Sequence, residues 1–172
     1  AFALATLCYE NLLKDGLSAK TACDANQVTP SLESIIETNI LLSGLGFESG
    51  GLGAAHAIHD GFTILEGTHK YMHGEKVSFG TICQLVLENA PREEFEEVLD
   101  FCLSIGLPVC FHDIGVDSIS DDELRQVAEK ACIPEESIHA MPFPVTVETC
   151  MAAIKTADKL ASDYKKAYLG EE

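Results

Sequence analysis

Basic residues are scarce in this chain. Eleven Lys and Arg stand against 28 Asp and Glu, a formal net charge of −17 over 172 residues. Nucleic acid and anionic membrane surfaces would repel such a protein, so neither is expected as its main partner. Long apolar runs are also missing: none approaches the roughly 20 residues that a membrane span needs, and the first residues carry no basic stretch of a signal peptide. A soluble protein is expected. The seven cysteines, Cys8, Cys23, Cys83, Cys102, Cys110, Cys132 and Cys150, are odd in number and never stand as Cys-x-x-Cys. That spacing speaks against a disulfide framework or a thiolate zinc site and for incidental thiols in a reducing compartment, the cytoplasm.

Strand-like alternation, internal repeats and low-complexity segments are absent as well, and what remains is helical. The opening Ala1-Phe2-Ala3-Leu4-Ala5-Thr6-Leu7 already has a helical pattern without an initiating Met or a cap residue, so an upstream segment is expected. The first helix is expected to stop at Asp15-Gly16, with Ser18 capping a short second one. Thr29-Pro30 opens another, whose buried stripe would be Leu32, Ile35, Ile36, Ile40 and Leu42, ending in Gly44 and Gly46. Further helices should carry His56 and His59, start near Gly74, and begin at Pro91 with Val98, Leu99 and Cys102 facing inward. Ser120 and Glu123 form a capping box, and Thr146 caps the last helix, which runs to about Tyr168.

The chemistry concentrates in His56-Ala57-Ile58-His59 and His73-Gly74-Glu75-Lys76. Residues three apart share a helix face, so His56 and His59 point the same way. Their small, apolar surroundings leave imidazoles in need of polar partners, and a metal ion is one such partner. Neutral imidazole is a good ligand for zinc or iron. His73 directly precedes a helix whose positive end disfavours imidazolium and leaves a lone pair for a metal. The alternative for both is a capping or core histidine, and spacing alone leaves the two readings even. His59 reads as a hydrogen-bonding partner or proton relay, His69 as exposed, and His112 and His139 as structural. The glycines around Phe47 do not form a phosphate loop, because the spacing is not G-x-G-x-x-G and no strand precedes them. They are expected to break the helix and place Phe47 near the histidines.

Three stretches carry a likeness to a known family. The segment Gly46-Phe47-Glu48-Ser49-Gly50-Gly51-Leu52-Gly53-Ala54-Ala55-His56-Ala57-Ile58-His59-Asp60-Gly61, then His73 to Gly80, then Gln84-Leu85-Val86-Leu87-Glu88-Asn89 resemble the glycerol dehydrogenases among the iron-type, or group III, alcohol dehydrogenases, a fold shared with dehydroquinate synthase. The resemblance covers essentially the whole chain, including Glu136-Ser137-Ile138-His139-Ala140-Met141-Pro142. It implies that residues 1–172 are the all-α C-terminal domain, lacking an N-terminal α/β dinucleotide domain that would bind NAD. It further implies that His56 and His73 are metal ligands and bind substrate, with zinc or alternatively iron as the metal. The third ligand would be an aspartate upstream of residue 1. Phe47 would help wall the substrate site, His59 would serve a catalytic or supporting role, and no cofactor-binding residue falls within this chain.

The function so implied is NAD-dependent oxidation of glycerol to dihydroxyacetone, with a homo-oligomer expected at full length. The alternatives are a sister enzyme acting on another polyol or on glycerol phosphate, and a non-catalytic helical module. A phosphate-bearing substrate would want basic residues beside the metal, and Lys76 is the only one in the motif region.

Overall fold

In the computed structural model, which describes residues 1–170, 75% of the chain is helical and no strand occurs among the described residues. The expected all-α class is the one observed. Ala1–Gly51 and the chain from Leu52 onward form two compact units.

In the first unit, α1 (Phe2–Asp24) does not stop at Gly16, and Ser18 caps nothing. A glycine in a helix interior costs only about 1 kcal/mol relative to alanine, which lateral bonds can outweigh. Asp15 accepts a hydrogen bond from Ser34 Oγ at 2.9 Å, and Asn11 Nδ2 donates to Thr38 Oγ1 at 3.0 Å. Both bonds tie α1 sideways to the segment after Thr29. Helix α2 (Pro30–Glu37) starts as its sequence indicates, with Thr29 Oγ1 accepting from the Leu32 N–H and Pro30 at the first position. It does not end at Gly44 or Gly46. The chain passes through a π-helical stretch, Thr38–Leu42, into α3 (Ser43–Gly50), and stops only at Gly51, whose φ of +76° is a left-handed value open to glycine. The expected buried stripe is corrected too: Leu32, Ile35 and Leu42 are half-buried, while Ile36 and Ile40 are exposed. The π turn shifts the helical phase at Thr38, which becomes the buried residue instead.

The second unit is built on α4 (Ala54–Phe62), α5 (His73–Leu87), α6 (Arg92–Ile105), α7 (Asp121–Ala131) and α8 (Val147–Leu169). Helix α4 packs on α5 and α7, α8 packs on the same two, and α6 lies against α5. Val98, Leu99 and Cys102 face inward as their spacing requires. The centre is aromatic: Phe62 stacks on Phe79 at 5.3 Å between centroids, and Phe111 meets both edge-on at 5.7 and 5.1 Å. Fully burying each such ring is worth roughly 1.5–3 kcal/mol, so these three hold α4, α5 and the loop at 111 together.

Two glycines set the position of α4. A Cβ at Gly61 would come within 2.5 Å of the Val127 carbonyl oxygen on α7, and one at Gly80 on α5 would overlap the carbonyl oxygen of Ala55. Helix α4 is therefore clamped between two backbones that touch it directly. Ser120 and Thr146 cap α7 and α8 as expected. The loop between α6 and α7 is pinned to α8: Asp158 accepts from the Phe111 N–H at 2.8 Å, and Asp113 pairs with Lys165.

Candidate metal centre

The periodicity of α5 puts His73, Gly80 and Gln84 on one face, since steps of seven and eleven residues return close to the same direction at 3.6 residues per turn. That face meets α4. With Gly80 letting the two backbones touch, the His56 and His73 rings lie 5.3 Å apart between centroids, tilted at 43°. The His59 and His73 rings come to 4.4 Å in an edge-to-face arrangement. The three imidazoles named by the sequence are thus brought together by one helix crossing. Phe47, the fourth candidate, is about half exposed on α3 in the first unit.

The hydrogen-bond pattern separates these rings from the other histidines. His69 Nε2 is bonded to the Thr63 carbonyl at 2.9 Å, His112 Nδ1 to Asp117 at 2.9 Å, and His139 Nε2 to the carbonyls of Ile133 and Cys132. These three are exposed, as is His73, whereas His56 is half-buried and His59 only 7% exposed. His59 donates from Nδ1 to the Asp60 carboxylate at 3.0 Å, because a carboxylate only accepts. In its neutral form the Nε2 of His59 then carries the lone pair. The ring nitrogens of His56 and His73 take no hydrogen bond from the described residues. Burial, followed by the neighbouring His73, pushes the pKa of His56 below the ordinary imidazole value against the opposing pull of Asp60. The same two causes lower that of His59. Neutral rings with free lone pairs are what a divalent metal requires, so the donor chemistry of His56 and His73 fits a metal. The set stops short of a full one: no group of three or more His, Cys, Asp or Glu placed to hold a metal occurs among the described residues.

Several site features escaped the sequence reading. Lys76 is buried, with its Nζ on the Thr68 carbonyl at 3.4 Å, rather than presented to solvent. Asp60 orients His59, a role its place next in sequence could have suggested. The first turn of α4 has a glycine, Gly53, at its cap position and no side-chain cap of its own. Gln84 fills that role from α5, its Oε1 accepting from the Ala55 N–H at 2.9 Å while its Nε2 donates to Glu88 at 2.7 Å. No local signal marks a cap that comes from 29 residues away.

No protein-family model matches the chain. Among curated proteins it is 55% identical over 159 residues to a glycerol dehydrogenase of Thermotoga maritima, an alignment that takes in 92% of this chain and 44% of that protein. It is 48% identical over 157 residues to a glycolaldehyde reductase of Halobacterium salinarum, covering 91% of this chain and 43% of the relative. The crystal structure of glycerol dehydrogenase from Schizosaccharomyces pombe superposes with a TM-score of 0.94 at 38% identity over 99% of this chain and 43% of that one. The chain therefore spans less than half the length of the relatives it matches, and over that span it is homologous to glycerol dehydrogenases in sequence and in fold. No helix among the described residues is long and apolar enough to cross a membrane.

Proposed function

We propose that this chain is the metal- and substrate-binding helical part of an NAD-dependent glycerol dehydrogenase, which oxidises glycerol to dihydroxyacetone. The observation that carries the reading is the pairing of His56 and His73. They are the two histidines whose ring nitrogens no described residue occupies, and their rings lie 5.3 Å apart between α4 and α5 in a chain homologous to such enzymes.

His56 and His73 would hold zinc, or alternatively iron, together with a carboxylate from outside this chain. When bound, the metal acts as a Lewis acid that lowers the pKa of a coordinated hydroxyl. The chain's own residues do the rest. His56 is kept neutral by burial and by His73, so its lone pair is available near neutral pH without a proton to expel. His59, oriented by Asp60 so that Nε2 is its accepting nitrogen when neutral, would serve as a proton relay or supporting partner next to the His73 ring. NAD would be held by the portion of the full-length protein that lies outside this chain. The acidic composition and the free cysteines fit a reducing cytoplasm.

The glycolaldehyde reductase relative favours a second reading, in which the same centre works on glycolaldehyde. Glycerol phosphate is disfavoured, because the one cation of the motif, Lys76, spends its charge inside the domain. Zinc titration of the chain against a chromophoric chelator tests the metal reading. His56→Ala and His73→Ala should each weaken zinc retention at least about tenfold, roughly the loss seen when metal-site partners are removed, while His112→Ala should leave it unchanged. Equal retention in all three would refute it. In the full-length enzyme, NADH formation with glycerol compared with ethylene glycol distinguishes the two substrates.

A further inference from the structure

Helices need a partner for their first N–H groups, and the residue before the helix usually supplies it. Helix α4 departs from this. Its cap position is Gly53, which has no side chain to offer. The partner comes from the neighbouring helix, where the side-chain carbonyl of Gln84 takes the Ala55 N–H at 2.9 Å. The glycine leaves room for the arrangement, since a Cβ on Gly53 would stand a tight 3.2 Å from Gln84 Oε1 and 3.4 Å from Met141 Sδ. Ser137 completes the setting by donating from Oγ to the Gly53 carbonyl at 2.8 Å.

The consequence is one of register. The bonded N–H belongs to Ala55, the residue immediately before His56, and Gln84 shares the face of α5 on which His73 stands. A single amide side chain therefore ties the turn that bears one histidine to the helix that bears the other. Gly80 lets the backbones touch at Ala55 but cannot by itself stop α4 from sliding or turning, because a steric contact has no direction. A hydrogen bond has one. Glu88 holds the Gln84 amide in the right sense, accepting from Nε2 at 2.7 Å so that Oε1 must face α4. We infer that Gln84 is a positioning residue for the candidate metal centre, capping α4 from α5 and thereby setting His56 against His73. The inference rests on the metal reading only for its functional meaning, since the geometry it explains is that of the helices themselves.

The test uses the 172-residue chain with two variants. Gln84→Leu removes the cap acceptor. The double exchange Gln84→Glu with Glu88→Gln keeps both hydrogen bonds, because the carboxylate now at position 84 accepts from the Ala55 N–H and from the side-chain amide now at position 88. Three readings are taken on each: hydrogen exchange at the Ala55 amide, nuclear Overhauser contacts between the His73 ring protons and those of His56 and His59, and zinc affinity by chelator competition. Gln84→Leu should speed Ala55 exchange, weaken the ring contacts and lower zinc affinity about tenfold, and the double exchange should restore all three. Ring contacts and Ala55 exchange unchanged in Gln84→Leu would overturn the inference. So would failure of the double exchange to restore them at wild-type thermal stability. Should Gln84→Leu not fold, the double exchange alone decides: wild-type ring contacts support the inference and weakened ones refute it. Absence of His56-dependent zinc binding in the full-length protein, which supplies the outside carboxylate, would bring down the metal reading, while the ring contacts still decide the role of Gln84.

Discussion

Replacing Gly61 by alanine should test whether α4 is clamped as described. The added Cβ would come within 2.5 Å of the Val127 carbonyl oxygen, 3.1 Å of Val127 Cγ1 and 3.3 Å of Ala131 Cβ. An ordinary carbon–oxygen contact is about 3.3 Å, so α4 and α7 would have to part by roughly 0.8 Å. The obstacle is a backbone oxygen inside a hydrogen-bonded helix and does not swing away as a side-chain end would. Nor can α4 retreat toward α5, where Ala55 already touches Gly80. Overpacking of this kind costs about 1–3 kcal/mol, and the upper end applies when neither side yields. Against it stands the gain from alanine over glycine in a helix, at most about 1 kcal/mol. The net expectation is a loss of roughly 2 kcal/mol. With a urea slope of about 1–3 kcal/mol per molar, the unfolding midpoint followed by helical circular dichroism should fall by about 1 M. Gly74→Ala serves as the matched control. It makes the same substitution in the first turn of α5 with open space around the new methyl group, and its midpoint should stay level or rise slightly. A Gly61→Ala protein as stable as the wild type, or a Gly74→Ala protein that falls with it, would refute the clamp.

Asp158 gives a prediction in pH. Burial, aided by Asp113, raises its pKa above the usual carboxylate value despite the Phe111 N–H. Its ionised form is thus disfavoured in the folded state, and it draws down stability as pH rises through the unfolded and then the folded pKa. Asp158→Asn keeps an acceptor for Phe111 and should be more stable than wild type at neutral pH. The gain should vanish below about pH 3.8, where both forms are uncharged, and urea midpoints across pH that show no convergence would contradict this. Thiol labelling of the native chain should modify exposed Cys23 readily and spare Cys83 and Cys150, which are fully buried with pKa values pushed well up, chiefly by burial for Cys83 and by the Cys132 hydrogen bond for Cys150. Mass spectrometry of tryptic peptides before and after denaturation reads the outcome, and early labelling of Cys150 would count against the packing of α7 on α8. Gly80→Ala should disturb the contact of the His56 and His73 rings more than Gly61→Ala does, because Gly80 sits in the contact between the two helices that carry those rings, whereas Gly61 faces α7. Ring proton contacts in the two variants provide the comparison.

The parts of this fold legible in the sequence were those decided within a few residues. Thr29, Ser120 and Thr146 each satisfy an N–H of the turn that follows, so their chemistry is complete in the local sequence. Pairing of His56 and His73 was legible through the stretches shared with a known family. Gly16, Gly44 and Gly46 misled because a glycine only weakens a helix, and the Ser34 bond to Asp15 that helps carry α1 past position 16 joins residues 19 apart. Ile40 misled for a related reason: an apolar stripe drawn at a constant 3.6 residues per turn loses phase where the turn itself widens. Gln84 was invisible as a cap, since nothing in its neighbours announces that its partner is Ala55.

That widened turn bears on Phe47, farther along the same rod. In a π segment the bonds reach one residue further than in an α-helix, so the stretch Thr38–Leu42 holds one residue more than the helix needs to continue. Deleting a single residue there would let the stretch close into ordinary α turns and leave everything beyond it in the helix, Phe47 included, in nearly its present direction, whereas the same deletion in an α-helical part of the rod would rotate it by about 100° around the axis. The aim of Phe47 is thus tolerant of losing the spare residue at that one place and sensitive to the same loss anywhere else upstream along α2 or α3.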